Sequence, residues 1–376
     1  MSGTSLDGLD ASLVRLRVAG GSYRIDRIGH QRTHFSKKWK TTALRIAEQD
    51  CLRESYFYGA AWAEFAAACV QSLLRKTRIS SSRVAVIGAH GQSVVHLPRP
   101  RPYLDKRVGI TIQLGDFSRL AVRTGIPVVG NFRPADLAAG GNGAPLAPHA
   151  HAHLFGRPGK RIAVQNLGGI GNITVLQSRK VELAFDTGPG NVWIDMAVRW
   201  KTRGRKQFDR NGSLARKGTP KAHLVAQLLK HPFFLQNPPK SAGWEQFGET
   251  YLIRFRRALA LLRTEDAVAT VTQATAEATA RAINQHVLNT KNLHSLVFCG
   301  GGAKNRYLIN LIGRHIRKNV SIHTSSDFLV PVDEVEAVSF ALMAVETLRK
   351  QAGNEIRATG AKYPVICGEV AYGRPK

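Results

Sequence analysis

The sequence has little cysteine: Cys51, Cys69, Cys299 and Cys367 are scattered over 376 residues with no paired spacing. That excludes a disulfide framework and a thiolate zinc site, and it fits a reducing cytoplasm. Acidic residues are scarce, 26 against 54 lysines and arginines. Long apolar runs are missing too. The alanine-rich stretch from Phe57 to Val70 is interrupted by Glu64, so no bilayer-spanning segment is expected. The start lacks the basic, apolar and cleavage-site succession of a signal peptide. No Gly-x-x-x-x-Gly-Lys-Ser/Thr loop is present, which disfavours a P-loop site. No Gly-x-Gly-x-x-Gly opens a helix, which weakens a dinucleotide site.

What is present is a globular composition, 43% hydrophobic and 21% charged, in a chain too long for one ordinary core. Two domains are expected. The formal net charge of +28 suits contact with anions such as nucleotides, acidic sugars or nucleic acid. The basic residues are nevertheless dispersed, and clusters such as Arg75–Arg78 and Lys201–Lys206 are modest. With no zinc-finger spacing and no RNA-binding aromatic signature, a solvated basic surface is the preferred reading. Neither a nucleic-acid partner nor a membrane is expected.

The chain is organised around residues 163–191. An apolar run, Ile162 to Val164, enters Asn166-Leu167-Gly168-Gly169-Ile170-Gly171-Asn172, and a β-branched run follows from Ile173. This reads as strand, glycine turn, strand. A third strand, Val181 to Phe185, delivers Asp186 into Thr187-Gly188-Pro189-Gly190-Asn191, and a helical pattern starts near Val192. Exposed N–H groups in such turns and at a helix start suit an anion. An acidic residue there suits Mg²⁺, a water nucleophile or a hydroxyl to be deprotonated. Structural hairpins with Asp186 as a satisfied cap are the alternative.

The start repeats the theme. Gly3-Thr4-Ser5-Leu6-Asp7-Gly8-Leu9-Asp10 is a polar turn before strands at 11–18 and 23–34. Two such units suggest two related halves around a cleft. A helix is expected over 56–75 and a buried strand over 84–89, ending in His90-Gly91-Gln92. Strands over 108–114 and 126–129 lead to Gly115-Asp116 and to Asn131-Phe132-Arg133 with Asp136. Polar residues after successive strands imply a site at strand carboxyl ends. The glycine loop 139–146 marks the domain boundary: an N-terminal lobe of 1–135, joined by 350–376, and a C-terminal lobe of 136–349. Further on come a helix over 264–286, a strand over 295–299 running into Gly300-Gly301-Gly302-Ala303-Lys304-Asn305, and a helix over 336–349.

Distributed glycine turns are what a two-lobed nucleotide site needs, and Gly300–Gly302 could admit a base or ribose against bare backbone. Arg133 suits a substrate carboxylate, or an ion pair with Asp136 or Asp116. His90 beside Gln92 could meet a polar substrate, or be an ordinary turn histidine. His149 and His153 share a helix face and could bind a metal, but no carboxylate or cysteine stands nearby in sequence. Solvent-facing or capping histidines are the preferred reading.

Several of these segments together are similar to one family. They are Met1–Gly8, His90-Gly91-Gln92, Phe132-Arg133 with Asp136, and Gly143-Ala144-Pro145-Leu146. Asn166-x-Gly168-Gly169-Ile170-x-Asn172, Asp186–Asn191, Pro238-Pro239-Lys240-Ser241 and Gly300–Ala303 with Asn305 complete the set. Their order and spacing, over essentially the whole chain, resemble anhydro-N-acetylmuramic acid kinase. The resemblance implies a two-lobed α/β actin/hexokinase-like ATPase fold with an interlobe active-site cleft, a homodimer, ATP and Mg²⁺. It implies phosphorylation of 1,6-anhydro-N-acetylmuramic acid at O6 while water opens the anhydro ring. The product would be N-acetylmuramic acid 6-phosphate, an intermediate of cell-wall recycling.

Residue by residue, the resemblance makes Asp186 the catalytic base toward water. Gly3–Asp10 becomes the phosphate loop, with Asp7 holding hydrated Mg²⁺. Asn166, Gly168, Gly169, Gly188, Gly190, Asn191, Gly300, Gly301, Gly302 and Asn305 become nucleotide contacts. His90, Gln92, Arg133, Asp136, Ala144 and Pro145 fall to the amino sugar, with Arg133 on its lactyl carboxylate.

The chain departs from the pattern in four places. The family carries residues before Met-Ser-Gly-Thr that form the lobe's first strand, so that strand is expected to be missing here and a misassigned start is favoured. Asn131 stands where Asp is usual, removing a charge beside the expected sugar pocket. Ala242 and Trp244 stand for Thr and Arg. The charge of +28 is high for a sugar kinase. A kinase for a related amino sugar, or a non-catalytic basic nucleotide- or nucleic-acid-binding relative, are the alternatives.

Overall fold

Alternating apolar residues from Leu9 onward build β1 (Gly8–Ala19), which returns antiparallel as β2 (Ser22–His34) with Gly8 opposite His34. The computed structural model describes residues 1–2, 6, 8–19, 22–49, 51–289, 291–317 and 319–374. The chain divides into two units, Met1–Leu154 with Glu334–Lys376, and Phe155–Asp333. Both are mixed α/β.

In the first unit, β2 and a helix over Lys37–Glu48 are followed by a long helix, α1 (Leu52–Thr77). Its Trp62, Ala63, Ala66 and Ala67 are buried, so small residues let the helix lie close to the strands. The strand expected over 84–89 is paired only at β3 (Ile87–Gly88). The chain then enters a hairpin, β4 (Gln92–Tyr103) and β5 (Lys106–Leu114). β4 carries Pro98, Pro100 and Pro102. Pro98 and Pro100 lie where the register slips between Leu97 and Arg101, and β4 pairs only with β5, so no ladder needs their missing N–H groups. β6 (Val128–Gly130) runs parallel to β3, and α2 (Ala147–Phe155) closes this part of the chain.

The second unit is built on one five-stranded sheet. β7 (Arg161–Leu167), β8 (Ile170–Gln177) and β9 (Lys180–Pro189) form an antiparallel meander. Helices α3 (Val192–Lys201) and α4 (Thr264–Ile283) follow. β10 (Ser295–Cys299) then lies parallel to β7, α5 (Arg306–His315) crosses, and β11 (Ser321–Thr324) lies parallel to β10. The order is β11-β10-β7-β8-β9. β7 is central, with Ile162, Ala163 and Val164 buried, and reads as an unbroken apolar run because both faces are covered. The helix expected over 264–286 ends earlier. A π-helical turn, Asn284–Leu288, takes over where the Asn284 side chain bonds His315 O and Arg317 N.

The chain returns to the first unit as α6 (Val335–Leu348) and ends with β12 (Glu369–Ala371), antiparallel to β6. The C-terminal segment thus joins the N-terminal unit through backbone pairing. The boundaries fall at 154/155 and 333/334 rather than 135/136 and 349/350. The glycine loop belongs inside the first unit because Asp136, Ala139 and Asn142 are bonded to the C-terminal segment. In this unit β1–β2 and β12–β6–β3 are separate sheets, and no described strand lies between them. A largely apolar cavity is lined by Leu9 and Leu13 of β1, Ile87 beside Ala89, Trp62 and Ala341.

Candidate active site

In the second unit the parallel pair β7 and β10 ends at the same level, Asn166 opposite Cys299. The chain leaves β10 through Gly300, at φ +80°, where a Cβ would stand 2.2 Å from Asn166 Oδ1. At Gly302 a Cβ would stand 2.7 Å from Leu167 Cβ, and at Gly190 2.2 Å from Gly168 O. The three glycine turns are therefore packed closely against one another, with no room for a side chain at these positions. Gly190, Asn191 and Val192 donate their N–H groups to the carbonyls of Gly169, Gly168 and Gly169 at 2.9, 2.7 and 3.2 Å. Asn191 Nδ2 donates to Leu167 O at 3.0 Å. These donors, expected to face an anion, are spent on holding the turns together. Gly301 differs: it is exposed, and nothing lies within 4 Å of where its Cβ would be. Asn305 is the N-cap of α5, its Oδ1 accepting from Leu308 N at 3.1 Å.

Asp186 sits near the end of β9, opposite Asn172, just after a register shift in β8. Its backbone N–H donates to Lys240 O at 3.0 Å. Its Oδ2 accepts from Ala242 N at 2.8 Å. Its Oδ1 has no hydrogen bond among the described residues. Burial raises its pKa to about 6, against the lowering pull of the Ala242 N–H. A carboxylate so held is aimed by one oxygen and left basic at the other. Asp186 is thus not a satisfied cap.

Lys240 supports this strand and was missed as a positioning residue, although its Pro-Pro-Lys-Ser segment stood out. Its side chain is buried, with Nζ 4.7 Å from the Phe233 ring centre and 5.9 Å from that of Phe185, the residue before Asp186. Desolvation lowers its pKa. Ala242 acts through its backbone, so replacing a Thr there leaves the N–H to Asp186 in place. The side chain of Trp244 lies outside the described residues.

In the first unit, Gly3, Thr4, Ser5 and Asp7 lie outside the described residues. Leu6 is buried at φ 55°, and Gly8 has Thr33 O where a Cβ would come, at 2.3 Å. Leu9 is buried, and Asp10 faces His30 Nε2 at 3.2 Å and Arg32 Nε at 3.8 Å. Asp10 is thus already engaged by His30 and Arg32.

Arg133 and His90 form one unit. Arg133 Nε donates to His90 Nε2 at 3.1 Å, and Nη1 donates to Gly143 O at 2.8 Å. Among the described residues it pairs with neither Asp136 nor Asp116. Burial, then the neighbouring Arg133, push His90 well below its ordinary pKa, so the ring is neutral and accepts at Nε2. Burial lowers Arg133 to about 10, and it stays a cation at neutral pH. Among the described residues only part of its donor fork is used, which leaves room for an anionic group. Gln92 is buried at the start of β4. Ala144 and Pro145 are partly exposed, joined by a cis peptide bond.

Asp136 has a different part from the one expected. It is fully buried, and its carboxylate accepts from Asn354 Nδ2 at 2.6 Å, Thr359 Oγ1 at 2.7 Å and Gly143 N at 2.7 Å. A Cβ on Gly141 would come 2.3 Å from its Oδ2. Its charge is used to shape the glycine loop, not displayed to a ligand. Asn131, at φ 51°, donates to Glu369 Oε2 at 3.0 Å. Asn tolerates that left-handed backbone, and an aspartate there would oppose Glu369. His149 is buried against Glu346 and Glu355, contrary to the solvent-facing or capping reading.

A family model described as anhydro-N-acetylmuramic acid kinase matches residues 1–373. A protein of that description from Caldanaerobacter subterraneus is 35% identical, covering 99% of this chain and 95% of the relative. One from Crocosphaera subtropica is 37% identical, over 98% of this chain and 97% of the relative. Among solved structures, component A of the (R)-2-hydroxyglutaryl-CoA dehydratase of Acidaminococcus fermentans is 9% identical, with a TM-score of 0.45 over 90% of this chain and 100% of its own. A ROK family glucokinase from Streptomyces griseus is 10% identical, with a TM-score of 0.38 over 89% and 100%. Structural likenesses this distant carry no argument.

Proposed function

The chain belongs to the anhydro-N-acetylmuramic acid kinase family, and from that premise we propose a division of labour among its residues. The activity is that of an ATP-dependent sugar kinase. It opens the 1,6-anhydro ring of 1,6-anhydro-N-acetylmuramic acid and phosphorylates O6, giving N-acetylmuramic acid 6-phosphate in peptidoglycan recycling. The two mixed α/β units agree with the actin/hexokinase-like ATPase fold that the family implies.

Asp186 is the general base. The observation that carries this is its carboxylate, held by the Ala242 N–H at 2.8 Å through Oδ2, open at Oδ1, with its pKa raised to about 6. Near pH 7 such a group is mostly ionised yet basic enough to take a proton in the transition state. It receives one proton from water, whose oxygen goes to the anomeric carbon. The C1–O6 bond breaks, and the freed O6 is the phosphoryl acceptor.

The glycine turns at 168–169, 188–191 and 300–302 form the nucleotide floor. Gly190, Gly300 and Gly302 leave no room for a side chain, and Gly301 keeps one face bare. Bound ATP and Mg²⁺ supply the phosphoryl group and neutralise its charge. Mg²⁺ is assigned to Asp7 by resemblance. On the sugar side, Arg133 is the candidate for the lactyl carboxylate, oriented by His90 and Gly143 O, with Gln92, Ala144 and Pro145 as neighbours. Asp136 holds that loop in shape. Asn131, bonded to Glu369, gives the related-sugar reading no support. A homodimer and a cytoplasmic location complete the proposal. No helix among the described residues is long and apolar enough to cross a membrane.

The test supplies ATP, Mg²⁺ and the anhydro sugar in ¹⁸O-labelled water and weighs the product. A sugar phosphate carrying one solvent oxygen is expected, with turnover lost in Asp186→Asn. Turnover near the parent rate in that variant would remove Asp186 from the base role.

A further inference from the structure

The first unit brings a second set of chemical groups together. His149 and His153 lie one turn apart on α2, with ring centres 5.0 Å apart. Glu346 on α6 places Oε2 3.6 Å from His149 Nε2. One ring nitrogen of each histidine and one oxygen of Glu346 all lie within 4.8 Å of one another. His149 and Glu346 are buried, and His153 is half-buried. We propose that His149, His153 and Glu346 bind a zinc-class divalent cation.

The outer partners of these side chains support a metal site more than proximity alone does. His149 Nδ1 faces Glu355 Oε1 at 3.3 Å. A proton on Nδ1 serves that contact and turns the Nε2 lone pair toward Glu346 and His153. His149 Nε2 is buried and makes no hydrogen bond. Glu346 Oε1 accepts from the Tyr23 hydroxyl, which in turn accepts from Arg349 Nη1 at 2.9 Å. That leaves Oε2 for the cation. A carboxylate behind a ligating imidazole, and a donor behind a ligating carboxylate, are the usual outer contacts of metal ligands. Two imidazoles and one carboxylate select zinc and its neighbours over Mg²⁺ or Ca²⁺, which prefer oxygen cages. Tetrahedral ligands at zinc distances stand about 3.3 Å apart, so side-chain rotations of about an ångström close the site. A fourth position remains for water.

Burial by itself would lower the pKa of His149, but the neighbouring carboxylates of Glu346 and Glu355 outweigh that and lift it to about 9. His153 on the same helix, Tyr23 on β2 and Arg349 just past α6 are the other titratable or charged groups facing the cluster. The metal would tie α2, which closes the chain's first passage through this unit, to α6, which begins the second.

The test uses the full-length protein stripped with chelator. Co²⁺ is titrated at pH 7.5 and read by its visible absorption, and Zn²⁺ by the thermal midpoint and by calorimetry in buffers of different ionisation enthalpy. The expected result is one equivalent per chain, tetrahedral Co²⁺ bands, and a raised midpoint that excess Mg²⁺ does not reproduce. His153→Leu, at a half-buried position, should weaken binding at least tenfold. Glu355→Gln, which keeps every ligand, should weaken it less. Absent Co²⁺ bands in the parent, an unmoved midpoint, or equal binding in parent and His153→Leu would each overturn the proposal. The last would assign the metal to surface histidines.

Discussion

The two units solve the same problem differently. In the second, five strands form one continuous sheet, and the glycine turns at its strand ends are joined by backbone bonds, to which the Asn191 side chain adds one more. In the first, the strands fall into separate sheets of two, three and two. Its functional loops are held by side chains: Asp136 on three donors, and Arg133 on His90 and Gly143. Backbone pairing depends on shape, so glycine is its requirement. Side-chain pairing depends on charge and reach, so its requirement is particular partners. Substitutions should therefore act sterically in the second unit and electrostatically in the first.

The largest effect is expected where the second unit's rigidity meets chemistry. Asp186→Asn should lower kcat by about 10² to 10⁴-fold, the usual worth of a general base, while nucleotide affinity stays within about twofold. In the parent, kcat/KM should fall about tenfold per pH unit below the Asp186 pKa of about 6, because only the ionised carboxylate accepts a proton. The stability sign runs the other way. A carboxyl whose pKa rises on folding is penalised in its charged form, a cost present above pH 6 and absent below the unfolded value. Asp186→Asn should therefore melt higher than the parent at pH 8, with the gap closing toward pH 4. A variant that loses activity and also melts lower at pH 8 would make Asp186 a structural residue.

Next comes the hub of the first unit. Asp136→Ala leaves Gly143 N, Asn354 and Thr359 without their acceptor in a buried place. A loss on the order of 3 kcal/mol is expected by denaturant unfolding. The sugar KM should rise more than the ATP KM, because the loop also carries Gly143 O, which holds Arg133. An unchanged sugar KM in folded protein would detach this loop from the substrate.

The glycines sharpen the steric half of the comparison. Gly300→Ala meets Asn166 Oδ1 at 2.2 Å from a φ of +80°, and about 1–3 kcal/mol of strain is expected as a lower thermal midpoint. Gly301→Ala, one residue on, meets nothing within 4 Å. Its stability should be unchanged, and a raised ATP KM would place the nucleotide on its open face. Equal destabilisation by both variants would break the claim that close backbone packing sets the requirement.

How legible each unit is in the sequence follows from the same difference. The strand expected over 295–299 is β10, because a central strand covered on both faces carries its own apolar signature. Asp186 and its turn stood out because glycines mark tight backbone wherever they occur. Asp136 stood out too, but its role did not. The partners that consume its carboxylate, Asn354 and Thr359, lie 218 and 223 residues further on. His149 and His153 lack a carboxylate nearby in sequence for the same reason, since Glu346 and Glu355 arrive with the returning chain. Local pattern reports elements and turns; it does not report which side chains a distant return will supply.

Asn131 is the smallest and most discriminating case. By resemblance it is a lost charge beside the sugar, whereas in the fold it is the donor to Glu369 Oε2 at 3.0 Å. Asn131→Asp keeps the size and tolerates the φ of 51°, so only charge changes. If Asn131 serves the first unit's side-chain scaffold, the aspartate opposes Glu369 at an exposed site and costs below about 1 kcal/mol. The cost should be visible at pH 8 in low salt and fade in high salt. The sugar KM should then stay within about twofold. A sugar KM that improves severalfold, with no salt-dependent loss of stability, would move Asn131 from the scaffold to the substrate. It would also reopen the choice between the anhydro-muramic sugar and a related one, since the charge removed would then have been one the sugar feels.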